Sequence, residues 1–201
     1  MSREWTSEDV GDEELERLAG SPQHQGIVAE VEPYPYADPN SLLRAEDALV
    51  IAIDQVQDPQ NLGAICRSAE VAGAAGVVIP ERRAAGVTAA VCRASAGAVE
   101  HLAVARVRNL ADWLAGAKES GAWIHGAGAE GRTAPWEVDL TGRAVIVVGG
   151  EGRGLRPRVA GMCDGLIAIP QRGRIDSLNV SAAAAVVMFE AVRQRLQRDV
   201  Q

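Results

Sequence analysis

The sequence predicts an α/β fold built on a parallel sheet, and three observations carry that expectation. Short apolar runs recur along the chain from residue 48 onward, and most are followed by a stretch of helical pattern. The runs Ala48–Ile53 and Ala144–Val148 are continuous rather than alternating, as in strands buried on both faces. Strands that alternate with helices pack into a parallel sheet covered on both sides. The 201 residues suffice for one such domain and a short appendage.

Taken in order, residues 12–19 read as a short helix stopped by Gly20-Ser21-Pro22. Gly26–Val31 alternates like a strand, and Pro33–Pro39 reads as a stiff linker, so a boundary is expected near residue 40. Beyond it the expected strands are Ala48–Ile53, Gly76–Ile79, Leu102–Ala105, Ala122–His125, Ala144–Val148 and Gly165–Ile169. The expected helices are Asn61–Ala72, Thr88–Val99 (broken by Gly97), Leu110–Glu119, one near Leu155–Gly161, and a long one from Val180 to about Gln197. The last is alanine-rich early and arginine-rich late, which suits the helix dipole.

Composition narrows the function. Hydrophobic residues make up 47% of the chain but aromatics only 3%, so the core must be aliphatic. No apolar run approaches the roughly 20 residues that span a bilayer, and the polar, acidic start is unlike a signal peptide. Cys66, Cys92 and Cys163 lie in no metal-ligand spacing and read as reduced thiols of a cytoplasmic protein. His24, His101 and His125 share no metal spacing either. The net charge of −7 opposes indiscriminate nucleic-acid binding. Lys118 is the only lysine, so 19 of the 20 basic residues are arginines, the side chain suited to bidentate phosphate contacts. They gather at Arg82-Arg83, at Arg153, Arg156 and Arg158, and at Arg172 and Arg174; a solvated arginine-rich surface is the plainer reading of the same pattern.

Three segments sit where an apolar run ends and a loop or helix begins, the position of ligand sites in open parallel sheets. Asn61 is placed to cap a helix, with Arg67 six residues on; an ion pair of Arg67 with Asp54 or Asp58 is the structural alternative. Gly149–Gly154 follows a strand and precedes a helix, lacks the P-loop Lys-Ser/Thr, and carries Glu151, which would repel a phosphate. Ser177 or Asn179 is placed to cap the long helix. Gly126–Gly131 matches GxGxxG after a strand, but Arg132-Thr-Ala-Pro-Trp136 is no helix start, so the match is read as a decoy and not a dinucleotide site.

Together these segments resemble the signature motifs of the SpoU/TrmH family of RNA ribose 2′-O-methyltransferases, in the knotted SPOUT superfamily. The motifs are Asn61–Ala69, Val147–Leu155 and Ile169–Ser181, with Ala94–Glu100 matching the segment between the first two; the resemblance runs from about residue 48 to 196. His24–Ala29 is similar to the end of the small substrate-binding domain of the bacterial 23S rRNA (guanosine-2′-O)-methyltransferase branch, where relatives carry that domain whole. The resemblance implies a remnant of it over residues 1–40 and a catalytic domain over 41–201. It implies a Rossmann-like sheet with a C-terminal deep trefoil knot, a homodimer, S-adenosyl-L-methionine as cofactor, and no metal. The substrate it implies is RNA, foremost 23S rRNA with tRNA as the alternative. By the same resemblance Asn61, Arg67, Glu151, Ser177 and Asn179 form the polar catalytic site, and Arg67, with Asn61 as a second candidate, acts across the dimer. Gly149, Gly150, Gly154, Ile169, Ser177, Leu178 and Asn179 hold the cofactor. A non-catalytic RNA-binding protein on the same fold is the competing class.

Overall fold

A six-stranded, all-parallel sheet organises the chain from Pro35 onward. Its strands are β1 (Leu49–Asp54), β2 (Gly76–Pro80), β3 (Val104–Val107), β4 (Trp123–Ala127), β5 (Ala144–Gly149) and β6 (Gly165–Ile167), in the spatial order β3-β2-β1-β5-β4-β6. The computed structural model describes residues 6–22, 24–150, 154–175 and 177–198, and these fall into two units, Met1–Tyr34 and Pro35–Gln201.

Every residue of β1, β2 and β5 is buried, as their unbroken apolar runs require. Alternation sorts them between two faces. Val50, Ala52, Val145 and Val147 pack with α4 (Leu110–Glu119), α5 (Pro157–Ala160) and the short 3-10 helix Pro39–Leu43. Leu49, Ile51, Ile53 and Ile146 alternate with these and point to the opposite face. There α2 (Pro59–Val71) packs on α3 (Ala89–Ala94) and α6 (Val180–Arg198), and α6 lies on β5. Each fully buried Ile or Leu contributes about 1.5–3 kcal/mol, so this aliphatic core needs few aromatics.

Local signals set several boundaries. Asp58, not Asn61, is the N-cap of α2: its carboxylate accepts from Gln60 N at 2.9 Å, and Pro59 occupies the first turn, where a missing N–H costs nothing. Asn109 caps α4 by accepting from Ala111 N. The single broken helix expected over Thr88–Val99 is instead α3 and a 3-10 turn, Ala98–Glu100, separated by Ala96 and Gly97, both at positive φ. The third strand lies two residues later than expected because its ladder to β2 begins at Val77↔Val104. The sixth ends at Ile167, where its partner β4 ends at Ala127.

One expectation fails outright. Gly26–Val31 forms no strand, and Ile27 and Val31 are 81% and 74% exposed. Alternation makes a strand only where a second strand completes the ladder. In the same unit, α1 (Asp12–Ala19) has the expected bounds and ends on Gly20 in the left-handed conformation. The proline-rich stretch read as a linker is tied down from Tyr36 onward. The Tyr36 hydroxyl accepts from Val87 N at 2.9 Å, Arg106 lies over its ring, and Ala37 bridges Ala105 along the sheet edge.

Candidate functional site

The chain reverses its direction of winding between β1 and β5, which are neighbours in the sheet though far apart in sequence. The crevice beyond their carboxyl ends is the switch point where ligands lodge in such sheets. Asp54 closes β1 in register with Gly149, which closes β5. Asp54 is fully buried and receives two hydrogen bonds from one residue, from Arg156 N at 2.8 Å and Arg156 Nε at 2.7 Å. This is a charge-assisted pair of the stronger kind. It ties the start of α5 to the end of β1, and Gln55 turns the chain away at φ +67°. The structural alternative for Arg67, an ion pair with Asp54 or Asp58, is not what forms: Arg67 is exposed and makes no ion pair among the described residues.

The glycine segment is held just as closely. Gly150 and Gly154 bridge each other across the loop, Gly154 at φ +59°. A side chain on Gly149 would drive into the Gly154 backbone and within 2.7 Å of Leu155 N, and one on Gly150 would meet the Gln55 carbonyl at 2.6 Å. Both glycines are therefore required by the loop's own closure, whatever binds there. Glu151 and Arg153 lie outside the described residues.

The first and third segments meet directly. Asn179 Nδ2 donates to Asn61 Oδ1 at 2.9 Å, joining residues 118 apart. The other end of the same amide caps α6: Asn179 Oδ1 accepts from Ser181 N at 2.9 Å, from Ser181 Oγ at 2.5 Å and from Ala182 N at 3.3 Å. Asn179 is thus the cap, not Ser177, and it spends both ends of its side chain in doing two jobs. Asn61 is buried while Arg67 is exposed; six positions along a helix turn them about 120° apart. A single chain therefore does not bring Arg67 to the asparagine pair. Ser177 and Leu178 are exposed, Leu178 to 46%, Ile175 in the same loop to 78%, and Ile169 is half-buried.

Electrostatics divides reactive from inert groups. Burial pushes the Cys66 thiol up to about 12 and the Cys163 thiol to about 11, so neither is a thiolate near neutrality. His125, inside β4, has both ring nitrogens buried without a partner, and desolvation holds its pKa below the usual value against the pull of Asp164 and Asp139. No three His, Cys, Asp or Glu side chains cluster to hold a metal among the described residues. In the GxGxxG stretch no helix opens, and Gly126 is glycine because Leu155, Leu166 and Cys163 would each lie within 3 Å of a Cβ there.

The arrangement offers amides, a hydroxyl and glycine backbone around the switch point: equipment for orienting a polar substrate rather than attacking it. Sequence reading missed Asp54 and Arg156 as its anchor. The available signal was an acid closing a fully apolar strand, where a buried carboxylate must find a cation.

Comparison with known proteins identifies the family. A family model described as the SpoU rRNA Methylase family matches residues 48–189, and one described as RNA 2′-O ribose methyltransferase substrate binding matches residues 4–37. The Bacillus subtilis protein YacO, named for the TrmH family of tRNA/rRNA methyltransferases, is 44% identical over 178 residues, which are 86% of this chain and 72% of that one. A Mycolicibacterium vanbaalenii protein named as an uncharacterized tRNA/rRNA methyltransferase is 44% identical over 192 residues, 93% of this chain but 61% of its own length. The chain thus spans only part of the relatives it matches. Among solved structures, the SpoU methyltransferase AviRb from Streptomyces viridochromogenes, in complex with AdoMet, superimposes with a TM-score of 0.74 at 31% identity, over 81% of this chain and 66% of that one.

Proposed function

The chain belongs to the SpoU rRNA methylase family, and on that premise we propose that it transfers a methyl group from S-adenosyl-L-methionine to a ribose 2′-hydroxyl of RNA. The observation that carries this reading is the Asn61–Asn179 bond, which joins the first and third motifs. We take the substrate to be rRNA, foremost a guanosine of 23S rRNA, with tRNA as the alternative. A trefoil knot through the C-terminal loops, a homodimer and a cytoplasmic location go with the same reading. So does a division at about residue 40 between a part related to the family's substrate-binding domain and the catalytic domain.

The residues fit the cofactor. Ile175 and Leu178 expose apolar surface and Ile169 is half-buried, all on the stretch that leads into α6, while Gly149, Gly150 and Gly154 offer backbone without side chains after β5. An adenosine needs both. When bound, S-adenosyl-L-methionine would supply an electrophilic methyl group on a sulfonium, with the thioether as leaving group. The chain's own task is alignment, which is worth roughly 7–11 kcal/mol in well-oriented cases. Asn61 and Asn179 fix the loop that carries Ser177 and Leu178. Arg67, facing away from its own asparagine pair, acts at the site of a second copy, where its guanidinium clamps the phosphate beside the target ribose. A guanidinium is a poor base but a good fork for phosphate, so Arg67 orients the hydroxyl rather than deprotonating it. Glu151 and Ser177 hold substrate and loop in register.

Calorimetric titration with S-adenosylhomocysteine tests the reading, comparing the natural chain with Leu178→Asp. A replacement at Gly149 would break the loop itself and decide nothing. Micromolar binding abolished by Leu178→Asp, with transfer of labelled methyl to rRNA lost in Arg67→Lys, is the expected outcome. Absence of binding to the folded chain would overturn it in favour of a non-catalytic RNA-binding protein.

A further inference from the structure

We propose that an arginine-lined cleft at the carboxyl ends of β2 and β3 grips the phosphates of the RNA strand flanking the target nucleotide. The inference rests on the RNA reading above and extends it to a surface outside the three motifs. The cleft, of about 310 Å³, is walled by Arg82 and Arg83 after β2, Arg108 and Asn109 after β3, and Arg156 and Arg158 at the start of α5. A neighbouring hollow of about 370 Å³ shares Arg83 and Arg156 and reaches Gln55, Gly154 and Leu155. The two hollows adjoin at these shared arginines.

Charge is what sets this cleft apart. The chain carries a net −7, yet among the described residues five arginines and no acid line the cleft. Asp54 and Asp112 anchor two of them, Arg156 at 2.7 Å and Arg158 at 2.5 Å. Arg82, Arg83 and Arg108 are exposed and make no ion pair among the described residues. Three unpaired guanidinia on one concave face raise a positive potential there, which draws an anionic ligand. The N-terminal end of α4, capped by Asn109, adds its positive dipole to the same wall. The three unpaired arginines exceed the charge of a single phosphate, and a second hollow adjoins the cleft, so the fit is to a chain of phosphates. Guanidinium forks match phosphate oxygens pairwise.

The test uses the full chain and its Arg82→Ala/Arg108→Ala double variant, whose altered side chains are exposed and leave the melting curve unchanged. Binding of a fluorescent oligouridylate is followed as a function of salt. Two lost phosphate contacts lower the slope of log K against log salt by about 1.4, or about 25-fold in affinity at 0.1 M salt relative to 1 M. An unchanged slope overturns the proposal. So does inorganic pyrophosphate binding as tightly as the oligonucleotide, which would make the cleft a small-anion site. S-adenosylhomocysteine titrated into both proteins separates the two readings. Cofactor binding with arginine-independent RNA binding sinks the cleft alone. Arginine-dependent RNA binding without cofactor binding sinks the methyltransferase reading and leaves the cleft standing.

Discussion

Replacing Asp54 by Asn tests the anchor on which the whole site depends. The carboxylate is fully buried and accepts two hydrogen bonds, both from Arg156. Asparagine keeps the shape but loses the charge, and its amide nitrogen must face one of the two donors. Breaking a buried pair by removing one partner costs about 3–5 kcal/mol. The Arg156 side chain remains 37% exposed, so water can recover part of its solvation, and the lower end, about 3 kcal/mol, is expected. For a chain of this size each kcal/mol shifts the melting temperature by about 2–4 °C, hence a fall of about 6–12 °C. Circular-dichroism melting at neutral pH measures it, and Arg156→Gln with the double variant completes a cycle. A fall under about 3 °C, or strictly additive single effects, would refute the idea that this pair locks α5 to the end of β1.

Three further outcomes follow from the same geometry. Asn179→Ser keeps a good helix cap but is too short to reach Asn61, so stability drops by at most about 1.5 kcal/mol while methyl transfer falls at least tenfold; activity that merely tracks stability would reduce Asn179 to a cap. Because the folded pKa of His125 is depressed by burial, the unfolded chain takes up its proton first as pH falls. Stability therefore declines below about pH 6.5 and levels off once pH passes the folded value. His125→Leu flattens that decline in pH-dependent denaturant melts, and an unaltered acid limb would show that other groups cause it. With its thiol pushed up to about 12 and wholly buried, Cys66 resists iodoacetamide at mildly alkaline pH in the native chain, while the partly exposed Cys92 reacts. Alkylation of Cys66 before unfolding, read by mass spectrometry, would contradict the burial.

Much of the fold is legible locally. The continuous apolar runs locate all six strands, and α1 and α4 have the bounds that their flanking Gly20 and Asn109 dictate. Where the reading slipped, a local pattern was asked a non-local question. Gly26–Val31 alternates but has no partner strand, and β3 and β6 take their ends from the ladders beside them rather than from their own composition. Asn61 looked like a cap because asparagine often is one; Asp58 followed by proline is the stronger signal, and it frees Asn61 for the site.

By itself the sequence determined the class of fold, the order of its elements and three candidate segments at strand ends, since periodicity, caps and glycines act over a few residues. Only the tertiary structure decided their partners. Asp54 turned to Arg156, 102 residues away, and not to Arg67; Asn61 met Asn179 across 118 residues. The scattered arginines at 82–83, 108 and 156–158 became one cleft because three loops leave the same edge of the sheet. A parallel sheet gathers the ends of strands that are distant in sequence, and which ends become neighbours depends on strand order, which no local pattern contains.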